Sequence, residues 1–315
     1  MGDERGNESH MRNLATDWDA ILITGPTASG KSALALQLAA DAGGAVINAD
    51  SMQVYDTLRV LTARPSQEEM ADVPHHLYGY VPATRAHSTG EWLRDVAALL
   101  PQLRAQKRLP VFVGGTGLYF KALTGGLSAM PEISQDVRCR VRLRLKQEGA
   151  ERLHAELADR DPMTARTLRP TDGQRIVRAL EMLEETGRSI AAFRQEPGPI
   201  VIDPDRALKL VVLPDRAVLQ DRINRRFEKM FDNGAVEEVR DLLALDPPAE
   251  APAMKAIGVV QIAQMLDGGM TPKEVVERAS ALTRQYAKRQ MTWFRNQMDE
   301  SWRRIDPSGD QSLSS

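Results

Sequence analysis

Short, continuous apolar segments alternate with amphipathic stretches along much of the chain. Residues 21–24, 45–49, 109–113 and 206–213 are strand-length apolar runs, the pattern of strands buried on both faces of a parallel sheet. Between them, 33–40 is Ala/Leu-rich and helical, and 88–106 sets Trp92, Val96, Leu99, Leu100 and Leu103 along one helix face. Residues 77–81 read as extended. His75 and His76 just before them point to opposite sides of such a strand, so they suit structural hydrogen bonding better than a shared metal. Strands alternating with helices predict an α/β fold with a parallel sheet flanked by helices.

The alternation stops between 124 and 199. There, 134–147, 150–160, 162–169 and 172–186 are all helical in period, which predicts an all-helical insertion domain. The core is then discontinuous, 19–123 and 200–305. After the strand at 206–213 come a long helical region at 215–243, breaks at Pro247, Pro248 and Pro252, and a helix over 279–295. The polar ends, 1–18 and 306–315, read as tails, with Met11 a candidate true start. No internal repeat is visible.

Composition narrows the function classes only slightly. The chain has 315 residues, 42% hydrophobic and 27% charged, with a formal net charge of −2, which is ordinary for a globular protein with room for two domains. Cys139 is the single cysteine, so neither an intramolecular disulfide nor a cysteine zinc cluster is available. No apolar run approaches the roughly 20 residues of a membrane span, and 1–18 lacks an apolar signal core. These readings predict a cytoplasmic protein without a membrane partner, and nothing demands more than a monomer.

The chemistry gathers at strand ends. Gly25-Pro26-Thr27-Ala28-Ser29-Gly30-Lys31-Ser32 follows the first apolar run and opens the first helix. This is the glycine-rich loop that cradles phosphates with backbone N–H groups, a helix N-terminus and a lysine, and its Ser32 hydroxyl can ligate Mg²⁺. It predicts a P-loop NTPase-like core that binds a diphosphate or triphosphate. By itself the motif would be labelled an ATP site. Asp50 stands just beyond the second strand, where ligands lie in such sheets, and so faces the loop; a helix cap is the plainer reading of it. The strand at 109–113 ends in Gly114-Gly115-Thr116-Gly117, with no acidic residue to hold a metal through water. Two basic helices stand out: Arg138, Arg140, Arg142, Arg144 and Lys146 in one, Arg175 and Arg178 in the other. Each is either a solvated face or a polyanion contact. In 279–295, Arg284, Lys288, Arg289 and Arg295 alternate with Tyr286, Trp293 and Phe294. Such a pattern either holds phosphates and bases or packs as a core stripe.

Taken together, six motifs in order make the chain resemble the bacterial tRNA dimethylallyltransferases, also called tRNA isopentenyltransferases. They are the phosphate loop, Asn48-Ala49-Asp50-Ser51-Met52-Gln53-Val54-Tyr55, His75-His76-Leu77, Gly114-Gly115-Thr116-Gly117-Leu118-Tyr119, Gln174-Arg175-Ile176-Val177-Arg178-Ala179-Leu180-Glu181 and Tyr286-Ala287-Lys288-Arg289-Gln290. The resemblance implies transfer of a dimethylallyl group from dimethylallyl diphosphate to N6 of adenine 37 in tRNAs that read codons beginning with U. The loop then holds the leaving diphosphate with Mg²⁺ at Ser32, and the insertion grips the anticodon stem-loop. Asp50 becomes the general base, and Thr116 a contact to the diphosphate or the target nucleotide. The tRNA contacts so implied are Asp50, Ser51, Met52, Gln53, Thr116, Arg138, Gln174, Arg175, Ile176, Val177 and Arg178, with Lys255 and Gly258.

Three positions depart from the commonest family pattern. Ser32 replaces threonine, His87-Ser88 replaces Tyr-Ser, and Gly258-Val259-Val260-Gln261 replaces Gly-Tyr-x-Glu; the last bears on tRNA contact near Lys255. Two other readings compete. One is a small-molecule kinase with Arg222, Arg225 and Arg226 as a lid over ATP, and the other is a non-catalytic RNA-binding switch set by nucleotide state.

Overall fold

The structure is a computed structural model and describes residues 17–125, 127–128, 130–193 and 198–306. Of the expected tails, 1–16 and 307–315 lie outside the described residues. Trp18, expected in the first tail, instead packs against a core cluster.

Contacts divide the chain into a unit built from 17–124 and 201–306 and a helical unit, Gly125–Ile200. The first holds a six-stranded sheet of β1 (Ala20–Thr24), β2 (Ala45–Asn48), β3 (His75–His76), β4 (Pro110–Gly114), β5 (Ala207–Val212) and β6 (Arg303–Ile305). Its order is β3-β2-β4-β1-β5-β6 and every pairing is parallel. Side-chain alternation divides the core between the two faces. Ile21, Ile23, Val111, Val113, Leu208 and Leu210 pack under α1 (Lys31–Asp41) through its Ala35 and Leu38. Leu22, Ile47 and Phe112 face the other way, toward Trp92 and Val96 of α3 (Thr89–Ala105). The short α2 (Gln67–Met70) lies between β2 and β3. Each such side chain contributes about 1.5–3 kcal/mol on burial, and β1, β2 and β4 are buried throughout.

After β4 comes α4 (Gly117–Leu123). The long helical region beyond β5 divides into α10 (Arg216–Met230) and α11 (Val236–Ala244), counting α5–α9 in the helical unit. The joint is a wider turn at Phe231–Ala235, where Gly234 takes φ 102°. An α-helix cannot accept that backbone, so it breaks there. Then α12 (Val259–Leu266) precedes α13 (Pro272–Gln297), which starts about two turns before the apolar stripe suggested because Thr271 and Glu274 form a capping box.

Two strand expectations change. The pairing strand near the histidines is His75–His76 itself, and Leu77 turns out of it with φ 61°. Only Val81 of the expected run forms a bridge, to Tyr55. Strand β6 has just three residues, two of them exposed, too short and too polar to register as an apolar run.

The helical unit contains α5 (Gln135–Glu148), α6 (Ala150–Arg160), α7 (Pro162–Ala165), α8 (Gly173–Thr186) and α9 (Ile190–Phe193). It has its own core of Val137, Val141, Leu153, Leu157, Ile176 and Leu180.

Candidate active site

Because β4 lies between β2 and β1, the loops leaving their carboxyl ends are neighbours, and all three sequence candidates meet there. The phosphate loop leaves β1, Asp50 follows β2, and Gly114–Thr116 ends β4. The backbones touch: a Cβ on Gly114 would lie 2.0 Å from the Ala49 carbonyl, and Thr116 N–H donates to that carbonyl at 3.3 Å. Thr24 Oγ1 donates to Gly114 O at 3.1 Å, joining the ends of β1 and β4. Only glycine permits this approach.

Within the loop, Gly30 is the residue before α1, has φ 94°, and brings no side chain to cap the helix. The first-turn N–H groups are therefore left for an anion. Lys31 Nζ folds back to donate to Pro26 O at 3.1 Å. Burial draws its pKa down to about 8, against the charge of Asp50, which pulls it up. Ser29 is fully buried and its Oγ has no partner, the condition of a hydroxyl that a ligand oxygen would satisfy. Ser32 is exposed in the first turn of α1.

Asp50 sits in a tight turn. Its N–H donates to Asn48 Oδ1 (2.9 Å), and its Oδ1 accepts from Met52 N–H (2.9 Å). Thr116 Oγ1 accepts from Ser51 N–H at 2.9 Å and donates to Ser51 Oγ at 3.2 Å. The hydroxyl thus holds the Asp50–Ser51 turn and does not cap α4. Lys31 and Arg226 face Asp50 as charged neighbours. Burial, and secondarily the Asp50 charge, pushes the Tyr78, Tyr119 and Tyr286 hydroxyls well above the usual phenol range. Gln53 points away, its Nε2 donating to Thr62 O (2.9 Å) and Ala63 O (3.1 Å).

Two contributors lie outside the site expected for prenyl transfer: the pair Arg226 and Arg222, read from sequence only as part of a kinase lid, and Gln290. Arg226 Nη1 reaches Thr27 Oγ1 at 3.4 Å, and Arg222, one turn earlier on α10, lies beside Gly30. Arg225 turns outward to Asp221 (3.0 Å). The second is Gln290 of α13, which bonds to both Thr27 and Gly115. Its place in the 286–290 motif was visible, but not its partners. Of the aromatics of α13, Phe294 is buried and Trp293 covers Gly117, whereas Tyr286 is half-buried beside Arg289.

In the helical unit the basic run divides by pairing. Arg140 pairs with Glu184 (2.8 Å), Arg142 with Glu181 (3.3 Å), and Arg144 with Glu148 (2.7 Å) and Glu156. Arg138 lies near Arg178, which stands 3.7 Å from Glu181 and whose pKa is lowered by burial first, against the Glu181 charge and with the Arg138 charge. Gln174 and Arg175 are exposed on the same helix. Ile176 and Val177, carried with the motif as tRNA contacts, turn inward and are 0% and 6% exposed. That placement contradicts side-chain contact with RNA. Gly258 is likewise buried, under Leu61 and Phe227, whereas Lys255 is exposed. At one departure from the family pattern, Gln261 Oε1 accepts from Gly258 N–H (3.0 Å), a helix-capping role that glutamate fills equally well. At another, His87 is buried between Tyr80 (2.9 Å) and Asp95 (3.3 Å), lining a cavity of about 360 Å³ that shares no residue with the phosphate loop.

A glycine loop between a central parallel strand and a helix, faced by one carboxylate, two arginines and a lysine, defines a P-loop-like α/β protein with an anion site. The chain belongs to the IPP transferase family, whose sequence model matches residues 53–297; a second model, isopentenyl transferase, matches 18–78. It is 67% identical to a tRNA dimethylallyltransferase of Allorhizobium ampelinum over 96% of this chain and 99% of that one. The full-length tRNA isopentenylpyrophosphate transferase of Bacillus halodurans superposes with a TM-score of 0.64 at 32% identity, covering 91% of this chain and 89% of that one. A eukaryotic dimethylallyltransferase acting on tRNA gives 0.74 at 26% identity, covering 87% and 69%. These relatives favour neither the kinase nor the switch.

Proposed function

We propose that the chain transfers the dimethylallyl group from dimethylallyl diphosphate to N6 of adenine 37 in tRNAs reading codons that begin with U, releasing diphosphate. The observation that carries this reading is the convergence of a cation-rich phosphate cradle and one carboxylate at adjacent strand ends. A carboxylate beside a phosphate cradle would also serve phosphoryl transfer to a hydroxyl; the relatives above, all tRNA prenyltransferases, support alkyl transfer.

In the reaction the carbon–oxygen bond of the prenyl diphosphate breaks and a nitrogen–carbon bond forms. The leaving diphosphate gains charge, which Lys31, Arg226 and the amides of 28–32 stabilise; donors placed where charge develops are usually the largest catalytic contribution. The exocyclic amine loses a proton to the Asp50 carboxylate, a role worth about 10²–10⁴-fold. Thr116 keeps the Asp50–Ser51 turn in place through its bond to Ser51 N–H. Gly25, Pro26, Thr27, Ala28, Ser29, Gly30, Lys31 and Ser32 form the diphosphate site. Asp50, Ser51, Thr116 and Lys255 of the core, and separately Arg138, Gln174, Arg175 and Arg178 of the helical unit, are the tRNA contacts of this reading, with Met52 and Gln53 shaping the turn.

The donor set fits Mg²⁺ sparsely. Ser32 offers a hydroxyl in the first turn, and no cluster of three metal-ligating side chains exists among the described residues. A cation with one protein ligand and diphosphate oxygens matches the habit of Mg²⁺, and when bound it would neutralise part of the leaving-group charge. The reading places the enzyme in the cytoplasm with its tRNA substrate, acting as a monomer on the anticodon stem-loop.

The test supplies labelled dimethylallyl diphosphate and unmodified tRNA with Mg²⁺. Label on adenine 37 is expected. Folded protein that leaves adenine 37 unlabelled while transferring phosphate from ATP to a metabolite would overturn the reading.

A further inference from the structure

Gln290 is buried, 6% exposed, and belongs to neither of the two strand-end loops it bonds. Its Oε1 accepts from Thr27 N–H at 3.0 Å, and its Nε2 donates to Gly115 O at 2.9 Å. These two bonds have opposite polarity, one accepted and one donated, which the carboxamide makes in one of its two flips. One end holds the phosphate loop and the other holds the turn after β4. Thr27 is held a second time, by Arg226 from α10.

The carboxamide also borders the base. The point where a Cβ on Gly115 would stand is 2.3 Å from Gln290 Nε2 and 3.4 Å from Asp50 Oδ2. Glycine at 115 therefore leaves room for the amide, and the amide and the carboxylate flank one α-carbon. Trp293, three residues on and so on the same helix face, covers Gly117 in the same way. One helix thereby presses on the turn at both ends.

We propose that Gln290 is a positioning residue for group transfer: its carboxamide sets the separation between the diphosphate cradle and the Asp50–Thr116 pair. This rests on the prenyl-transfer reading above. The leaving oxygen is held by the loop after β1, and the proton acceptor by the turns after β2 and β4. Gln290 is a direct strut between these two groups. A strut of this kind acts on rate and leaves affinity alone, because each loop keeps its own binding groups. Misplacement by about 1 Å at a reacting centre costs on the order of 10²-fold.

The experiment compares full-length wild type, Gln290→Met and Gln290→Glu by single-turnover transfer of labelled dimethylallyl to tRNA. Dissociation constants for inorganic diphosphate and tRNA, and thermal unfolding, are measured alongside. Gln290→Met is expected to lose about 30- to 100-fold in rate, with both constants within threefold of wild type. Gln290→Glu keeps an oxygen for Thr27 N–H but, as a carboxylate, cannot donate to Gly115 O, so it cuts only the arm to the turn after β4. It is expected to lose single-turnover rate at saturating substrates by about the same factor, with tRNA affinity within threefold of wild type. Wild-type transfer with an unchanged Gln290→Met rate, or a loss of rate matched by equal losses in both affinities, overturns this inference alone. If Gln290→Met does not fold, Gln290→Glu decides, and a saturated rate equal to wild type overturns it. Absence of transfer by wild type overturns the underlying reading and this inference with it.

Discussion

Replacing Asp50 by asparagine or by alanine separates chemistry from architecture. On the proposed mechanism the carboxylate has two functions: its Oδ1 accepts Met52 N–H at 2.9 Å, and beside Lys31 it would take the proton from the amine. Asp50→Asn keeps an oxygen for Met52 N–H and removes only the base. Asp50→Ala removes both, and the lost hydrogen bond costs about 0.5–1.5 kcal/mol of stability. Loss of a general base costs about 10²–10⁴ in rate, or about 2.7–5.4 kcal/mol of barrier at tenfold per 1.36 kcal/mol. Chemistry outweighs architecture, so the two variants share nearly the same rate defect while only alanine lowers the unfolding temperature. Single-turnover transfer with saturating tRNA gives the rate, and calorimetry with inorganic diphosphate gives the affinity. Removing a negative charge beside an anion site leaves diphosphate binding equal or tighter. An Asp50→Asn enzyme within threefold of wild type would refute Asp50 as the base, and a defect found only in the alanine variant would make it a turn-former.

Three further outcomes are expected. Lys31 has its pKa drawn to about 8 from 10.5 by burial, so the free site loses its charge as pH rises through 8. Affinity for inorganic diphosphate without metal falls over that range, and calorimetry in buffers of differing ionisation enthalpy shows proton uptake on binding. For the same group, the unfolded chain binds more protons between pH 8 and 10.5, so the contribution of Lys31 to stability rises with pH there. Arg138→Ala and Arg178→Ala each weaken tRNA binding and lower the salt slope by about one. Arg140→Ala, which breaks an exposed pair with Glu184, changes stability by less than about 1 kcal/mol and leaves the slope alone. Gly114→Ala drives a Cβ to 2.0 Å from the Ala49 backbone; neither strand can retreat within a paired sheet, so the cooperative unfolding transition is lost, as circular dichroism would show.

Much of the site could be read from order along the chain because its parts are local. The loop from Gly25 to Ser32 needs only a strand before it and a helix after it, and both carry their own periodicity. Asp50 and Thr116 were found because each directly follows an apolar run, and in a parallel sheet such positions share one edge. The basic run of α5 was harder to interpret. Five cations without an acid suggested a possible polyanion surface, yet Glu181, Glu184 and Glu156 on other helices pair with three of them. Ile176 and Val177 stand within a motif, and burial removes them from any surface. Three-residue β6 and the turn at Gly234 left weak local signals.

The phosphate loop, the parallel strands and the separate helical segment were determined by the sequence itself, through glycine spacing and hydrophobic period. Tertiary structure alone decided which cations remain for a ligand and what holds the loops at their working separation. Gln290 shows why. It lies 263 positions from Thr27 and 175 from Gly115, and a hydrogen bond over such a separation imposes no pattern on neighbouring residues. Its polarity has meaning only where three strand ends have already been brought together.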